Sequence, residues 1–180
     1  MIRAVIVRDA RPEDFRAVGA LRVDAYAAGG FLRRDDPYAG TLGLLGTQGD
    51  GTVLVAEDDG RILGTIMLAA GASTELADSA RTADIRALAV APDSQGRGIG
   101  RLLLRSAVSR AAAAGLRRLL LSTRPDMRAA HHLYETEGFT RAPDLDWQPV
   151  PGYTLLVYEI QITGDMRVIR PGHRAGPGTC

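Results

Sequence analysis

The stretch from Leu88 to Leu104, LAVAPDSQGRGIGRLLL, restricts the fold more than any other part of this chain. An apolar run ends in a proline turn, glycines follow at positions 96, 98 and 100, and a second apolar run opens with helical spacing. A strand that passes through a glycine-rich turn into a helix builds an anion cradle. The glycines clear side chains away so that backbone N–H groups reach a ligand. The first amides of the helix lack internal partners, and the helix dipole adds partial positive charge. A pyrophosphate is the natural guest. Two nucleotide motifs are excluded by residue type and spacing. A P-loop needs a lysine after its second glycine, and every one of the 22 Lys+Arg residues is Arg. A dinucleotide fingerprint begun at Gly96 or Gly98 needs a further glycine where Arg101 or Leu103 stands. The pattern that fits is Gln95-x-x-Gly98-x-Gly100.

The rest of the chain bounds the setting. A length of 180 residues is one domain of ordinary size. A formal charge of +1 supplies no global field for nucleic acid or an anionic membrane surface. The single cysteine, Cys180, makes no intramolecular disulfide, which fits a reducing compartment. The opening apolar run is too short for a signal core and no segment is long enough to span a bilayer, so a cytoplasmic protein is expected.

Periodicity and punctuation predict the elements. A strand is expected over Ile2–Val7 and a helix over Pro12–Ala28. A short helix is expected after Asp35-Asp36-Pro37. A hairpin is expected from Thr52–Glu57 and Arg61–Ala70, followed by a loop of small residues to Ala80. A strand over Arg81–Val90, a helix over Gly98–Ala114 and a strand over Arg118–Ser122 follow, then a helix over Pro125–Glu137 and a strand near Phe139. Ala142–Gly152 reads as a linker into a last strand, Tyr153–Ile160, and Gln161–Cys180 as a Gly-, Pro- and Arg-rich tail.

A second motif, His132-Leu133-Tyr134-Glu135-Thr136-Glu137-Gly138-Phe139, lies one helix and one strand beyond the glycine turn. With both motifs in this order, the chain resembles the GNAT superfamily of acyl-CoA-dependent N-acyltransferases, from about Ile2 to Ile160 by element order. The resemblance implies an α/β (α+β) fold, a mixed, mostly antiparallel central sheet flanked by helices in a single domain. Residues 1–160 would form the acetyltransferase domain and 161–180 its tail. It implies acetyl-CoA as acyl donor, with no metal, and a primary amine as acceptor on a small molecule, peptide or protein. A homodimer is left open.

The resemblance also implies roles. Gln95, Gly96, Arg97, Gly98, Ile99, Gly100 and Arg101 would hold the pyrophosphate, while Leu88, Ala89 and Val90 would pair with the pantetheine arm. A strand amide near Leu88 or Ala89 would polarise the thioester carbonyl. Tyr134 would donate to the leaving thiolate. Many relatives carry Asn where this chain has Met127, so a polar contact is lost or replaced by apolar packing. Asp84, eleven positions before Gln95, is the candidate base. Strand alternation puts it on one face with residues 86, 88 and 90, and Arg86 is its alternative partner. Arg105 reads as a solvated surface residue. His131, His132 and His173 do not have the spacing of a metal site. Tyr26, Phe31 to Tyr38 and Asp146 to Pro149 would build the acceptor pocket. Asp35 and Asp36 read as helix caps before ammonium ligands, and Trp147 as pocket wall or core cover. A non-catalytic acyl-CoA sensor on the same fold is the rival reading.

Overall fold

The computed structural model describes residues 5–33, 35–70 and 81–163. The expectations for the start of the first strand, for the loop over 71–80 and for the tail from 164 onward fall outside the described residues. The elements are β1 (Ile6–Asp9), α1 (Phe15–Ala28), α2 (Tyr38–Leu44), β2 (Gly51–Asp58), β3 (Arg61–Ala70) and β4 (Thr82–Val90). There follow α3 (Ile99–Ala113), β5 (Arg118–Thr123), α4 (Arg128–Thr136), β6 (Thr140–Arg141), β7 (Trp147–Val150) and β8 (Tyr153–Gln161). The sheet runs β1-β2-β3-β4-β5-β8-β6, with β7 pairing the start of β8. Among the described residues, only β4 and β5 run parallel. The mixed, mostly antiparallel sheet flanked by helices is the architecture implied by the two motifs.

Strand alternation divides the core. Val53, Val55, Met67 and Ala69 face Val18 of α1, while Leu54, Ala56, Ile66 and Leu68 belong to the opposite layer with α3. Helix α3 buries Ile99, Leu103, Leu104, Ala107, Val108 and Ala111, an apolar stripe at helical spacing. Two elements depart from the sequence expectation. β1 runs on to Asp9, where Arg8 bonds Glu57 across the pair and Asp14 beyond it, both at 2.6 Å. The stretch read as a linker contains β7, which folds back on β8 with Trp147 opposite Leu155 and Val150 opposite Tyr153. Pro149 is tolerated there because an edge strand needs no donor on its free side.

Helix α2 is held against α1 by close backbone approach and one buried cation. A Cβ added at Gly19 would lie 2.7 Å from the Gly43 carbonyl oxygen, whereas a Cβ at Gly43 would meet nothing nearer than 3.9 Å. The Arg22 side chain is fully buried and donates Nη1 to the carbonyls of Leu45 at 2.7 Å and Leu42 at 3.4 Å, closing the C-terminal end of α2. This fixes α2, and with it Tyr38, over the end of the sheet.

The parallel pair is short. Thr82 to Ile85 pair with Arg118 to Leu121, and among the described residues the β4–β5 ladder stops there. On the other side, Met67 faces Arg86 and Thr65 faces Ala89, so two steps of β3 match three of β4. The extra residue is a bulge in which Ala87 takes φ 51°, a left-handed conformation uncommon outside glycine.

The α1–α2 crossing makes an asymmetric prediction. Gly19→Ala is expected to destabilise the fold by roughly 1–3 kcal/mol, lowering Tm by several degrees. Gly43→Ala, with ordinary contact distances and better helix propensity, is expected to leave Tm unchanged or raise it. Thermal melts of the two variants check this, and the opposite ranking would contradict the crossing described.

Candidate active site

The glycine turn caps α3. Gly96 and Gly98 take φ 75° and 76°, the left-handed region that side chains disfavour. A Cβ added at either would meet no atom within 4 Å, so the space in front of the turn is open to a ligand. The first helical bond runs from the Leu102 N–H to the Gly98 carbonyl at 3.0 Å, and the amides of Ile99, Gly100 and Arg101 precede it. The Gln95 amide donates to the Val90 carbonyl at 3.3 Å, tying the turn to the end of β4. At Gly100 a Cβ would sit 3.3 Å from Leu133, which is how closely α3 and α4 approach here.

The arginines of this helix face differ in their commitments. Arg101 and Arg105 both reach the Glu137 carboxylate just past α4, at 2.8 and 2.6 Å; Arg105 is the surface residue the sequence suggested, 64% exposed while making this pair. Arg97 lies 3.8 Å from Asp58 and is half exposed.

The bulge corrects the alternation expected for β4. Asp84, Arg86 and Ala89 oppose Ala69, Met67 and Thr65, so these three share a face. Leu88 and Val90 turn to the α3 layer with Ile85. Asp84 is buried at 5% exposure, and Arg86 bonds its Oδ2 at 3.3 Å, the pairing anticipated as its alternative.

Two cavities meet where β4 and β5 separate. One, of about 720 Å³, extends from Gln95 and Gly98 along Leu88, Ala89 and Val90 to Tyr134. The other, also about 720 Å³, holds Asp84 and is walled by α2, β7 and the start of β8. Tyr26, Phe31, Ile85, Arg86, Ala87, Ser122, Thr123 and Met127 line both. The bulge therefore lies at the junction, and Tyr134 and Asp84 stand on opposite sides of it.

Tyr134 is 7% exposed and packs against the rings of Phe139 and Tyr158, with centroids 6.1 and 5.8 Å away. Burial, and then its neighbour Tyr26, push the phenol above its ordinary value, so it is protonated throughout the physiological range. Burial likewise pushes Tyr26 up to about 12. The Met127 sulfur, where many relatives carry Asn, accepts the Thr123 hydroxyl at 3.7 Å.

Of the other residues singled out in the sequence, Asp36 caps the start of α2 by accepting the Tyr38 N–H at 2.8 Å. His131 is engaged within the protein, its Nε2 2.9 Å from the Arg124 carbonyl and its ring stacked near Tyr158. Trp147 is both wall and cover: it lines the second cavity, packs on Leu120 and Val157, and donates its indole N–H to Ser122 Oγ at 3.0 Å.

Sequence reasoning missed Arg124. Its guanidinium lies between the rings of Phe31 and Tyr153, 5.6 Å from each centroid. It also donates to the Phe31 carbonyl at 2.9 Å and forks onto Asp126 at 2.9 and 2.8 Å. One arginine thus locks three walls of the second cavity together. No local signal marks it, because Phe31 is 93 positions away.

Known proteins are similar to this chain in sequence or in fold. Mycothiol acetyltransferase of Cellulomonas flavigena is 34% identical over 102 residues, 54% of this chain and 29% of that protein. Mycothiol acetyltransferase of Geodermatophilus obscurus is 41% identical over 66 residues, 36% of this chain and 21% of that protein. The chain thus matches less than a third of the length of these relatives. The paia N-acetyltransferase of Thermoplasma acidophilum, solved with coenzyme A, aligns with a TM-score of 0.69 at 16% identity, over 88% of this chain and 99% of that one. The yncA protein of Salmonella typhimurium, solved with its cofactor acetyl-CoA, aligns at 0.67 and 21% identity, over 98% and 99%. These two share the fold. Residues 13–139, from the entry to α1 through Phe139, match the acetyltransferase (GNAT) family. With the match spanning most of the chain, this protein belongs to the acetyltransferase (GNAT) family.

Proposed function

We propose that this chain is an acetyl-CoA-dependent N-acetyltransferase, with residues 1–160 as its catalytic unit and direct attack of a bound amine on the donor. The observation that carries the reading is the meeting of two cavities at the β4 bulge, one ending at the glycine turn and the other holding Asp84. The open, side-chain-free space at Gly96 and Gly98 suits a pyrophosphate. A cavity of comparable size beyond the bulge favours transfer to an acceptor over mere sensing of the donor.

Acetyl-CoA supplies an activated thioester: the acceptor nitrogen bonds the acyl carbon, the C–S bond breaks, and a thiolate departs. The protein's part is to hold, orient and move protons. The amides from Gln95 to Arg101 hold the pyrophosphate, and the free edge of β4 at Leu88 to Val90 aligns the pantetheine arm. A strand amide near Leu88 or Ala89, just beyond the bulge at Ala87, would donate to the oxygen on which charge develops. Asp84 takes the amine proton, directly or through water. Tyr134 donates a hydrogen bond to the sulfur. A buried phenol above its ordinary value is a weaker acid than a thiol near 8.5, so outright transfer from Tyr134 is uphill. Its role is to stabilise the developing thiolate as the amine's proton becomes available.

Two outcomes test this. Tyr134→Phe is expected to keep its stabilisation by acetyl-CoA in a thermal-shift assay while kcat falls by about 10²-fold or more. An unchanged kcat would remove Tyr134 from the mechanism. For pH, a donor acid acts only while protonated, so raising its pKa extends its working range upward. The kcat profile is expected to show no basic decline assignable to a tyrosine below about pH 10. A basic limb below pH 9 that Tyr134→Phe abolishes would contradict this.

A further inference from the structure

We infer that the acceptor is a primary amine carried on a flat, uncharged, apolar body of one or two rings. The inference rests on the transferase reading above and names the substrate class of the same site.

Ring content carries it. The chain has only three Phe, one Trp and five Tyr, yet Tyr26, Phe31, Tyr38, Trp147 and Tyr153 all line the acceptor cavity. They arrive from α1, the segment after it, α2, β7 and β8, so the concentration is a property of the fold and not of one aromatic stretch. The rings are also fixed. Arg124 holds Phe31 and Tyr153 from between, and Ser122 anchors the Trp147 indole. A planar guest meets preformed faces, each worth roughly 0.5–1.5 kcal/mol beyond area burial, and spends little on ordering them. At the mouth, Tyr38 and Val150 are 50% and 57% exposed, an apolar entrance that water covers poorly.

The polar groups argue against the other classes. A polyamine needs a carboxylate for each ammonium, but among the described residues the cavity is lined by two, Asp84 and Asp36, and Asp36 caps α2. An anionic amine needs an uncommitted cation, and the Arg124 charge is matched by Asp126. An amino sugar needs many hydrogen bonds, while Ser122 accepts from Trp147, Thr123 donates to Met127, and the other hydroxyls lining the cavity are that of Thr41 and the phenols of Tyr26, Tyr38 and Tyr153, carried on apolar rings. Each unpartnered sugar hydroxyl would cost about 1–3 kcal/mol. Asp84, on β4 shortly before the Ala87 bulge that both cavities share, is placed for one amine and leaves the rings for its substituent.

Trp147 is the chain's single tryptophan, so its emission reports on this cavity alone. The test titrates the full chain with 2-phenylethylamine, spermidine and glucosamine, following Trp147 emission and, with acetyl-CoA present, thiol release. The inference expects a saturable emission change with 2-phenylethylamine and kcat/KM at least about tenfold above the other two. Val150→Asp, at the exposed mouth where folding is not at stake, is expected to raise the KM for 2-phenylethylamine severalfold without altering that for acetyl-CoA. Preference for spermidine or glucosamine in turnover would overturn the inference while leaving the transferase reading intact. No emission change with 2-phenylethylamine would also overturn it. A saturable emission change with no thiol release from any amine would uphold the ligand class and count against the transferase reading.

Discussion

Strands β4 and β5 pair over four residues, Thr82–Ile85 with Arg118–Leu121, and everything that distinguishes this molecule as a candidate enzyme follows from the pairing stopping there. A sheet edge inside a sheet is costly, because each backbone group left unpaired away from water forfeits a hydrogen bond. Here the separation is stabilised from both sides. The bulge at Ala87 turns β4 while it keeps its partner β3, and β5 remains paired to β8 through Thr123. The unpaired backbone is thus offered to a ligand that can supply the missing partners. The glycine turn and the first amides of α3 stand at the end of the same strand.

The junction is ringed by buried phenols. Tyr134 and Tyr26 are both shifted upward by burial; Tyr26 raises Tyr134 further, and Tyr38 and Tyr153 raise Tyr26, since phenolates cannot crowd one dry site. Neutral phenols donate hydrogen bonds without a fixed charge that would repel an approaching thioester or trap its products. The charged groups nearby are matched instead: Asp84 with Arg86, Arg124 with Asp126, and Arg101 and Arg105 with Glu137. These pairs brace the walls, leaving neutral donors at the junction.

What was legible in the sequence had local causes. The apolar stripe of α3 showed in its spacing, and the glycine turn and the Leu133-Tyr134 motif, each within one helix or turn, stood out by resemblance to the family. What was not legible depends on partners far along the chain. Alternation places residue 88 on one face with Asp84 and Arg86, but the extra residue at Ala87 reverses that, and only the register with β3 reveals it. Pro143, Pro149 and Pro151 made the segment holding β7 look like a linker, although strand β8 supplies its pairing. Arg105 lies on the surface as its sequence suggests, but its pairing with Glu137 was hidden by a separation of 32 positions. The Asp36 cap, by contrast, was readable from the residue type two positions before Tyr38.

The central claim is that the separation of β4 from β5, together with the glycine turn, receives the acyl donor. Hydrogen exchange of backbone amides with and without coenzyme A tests it most directly, since bonding a ligand slows exchange where contact is made. The account predicts new protection at residues 87–90 and 96–101, with the β1–β2 edge unchanged. Binding of coenzyme A that leaves both of those segments unprotected would contradict it.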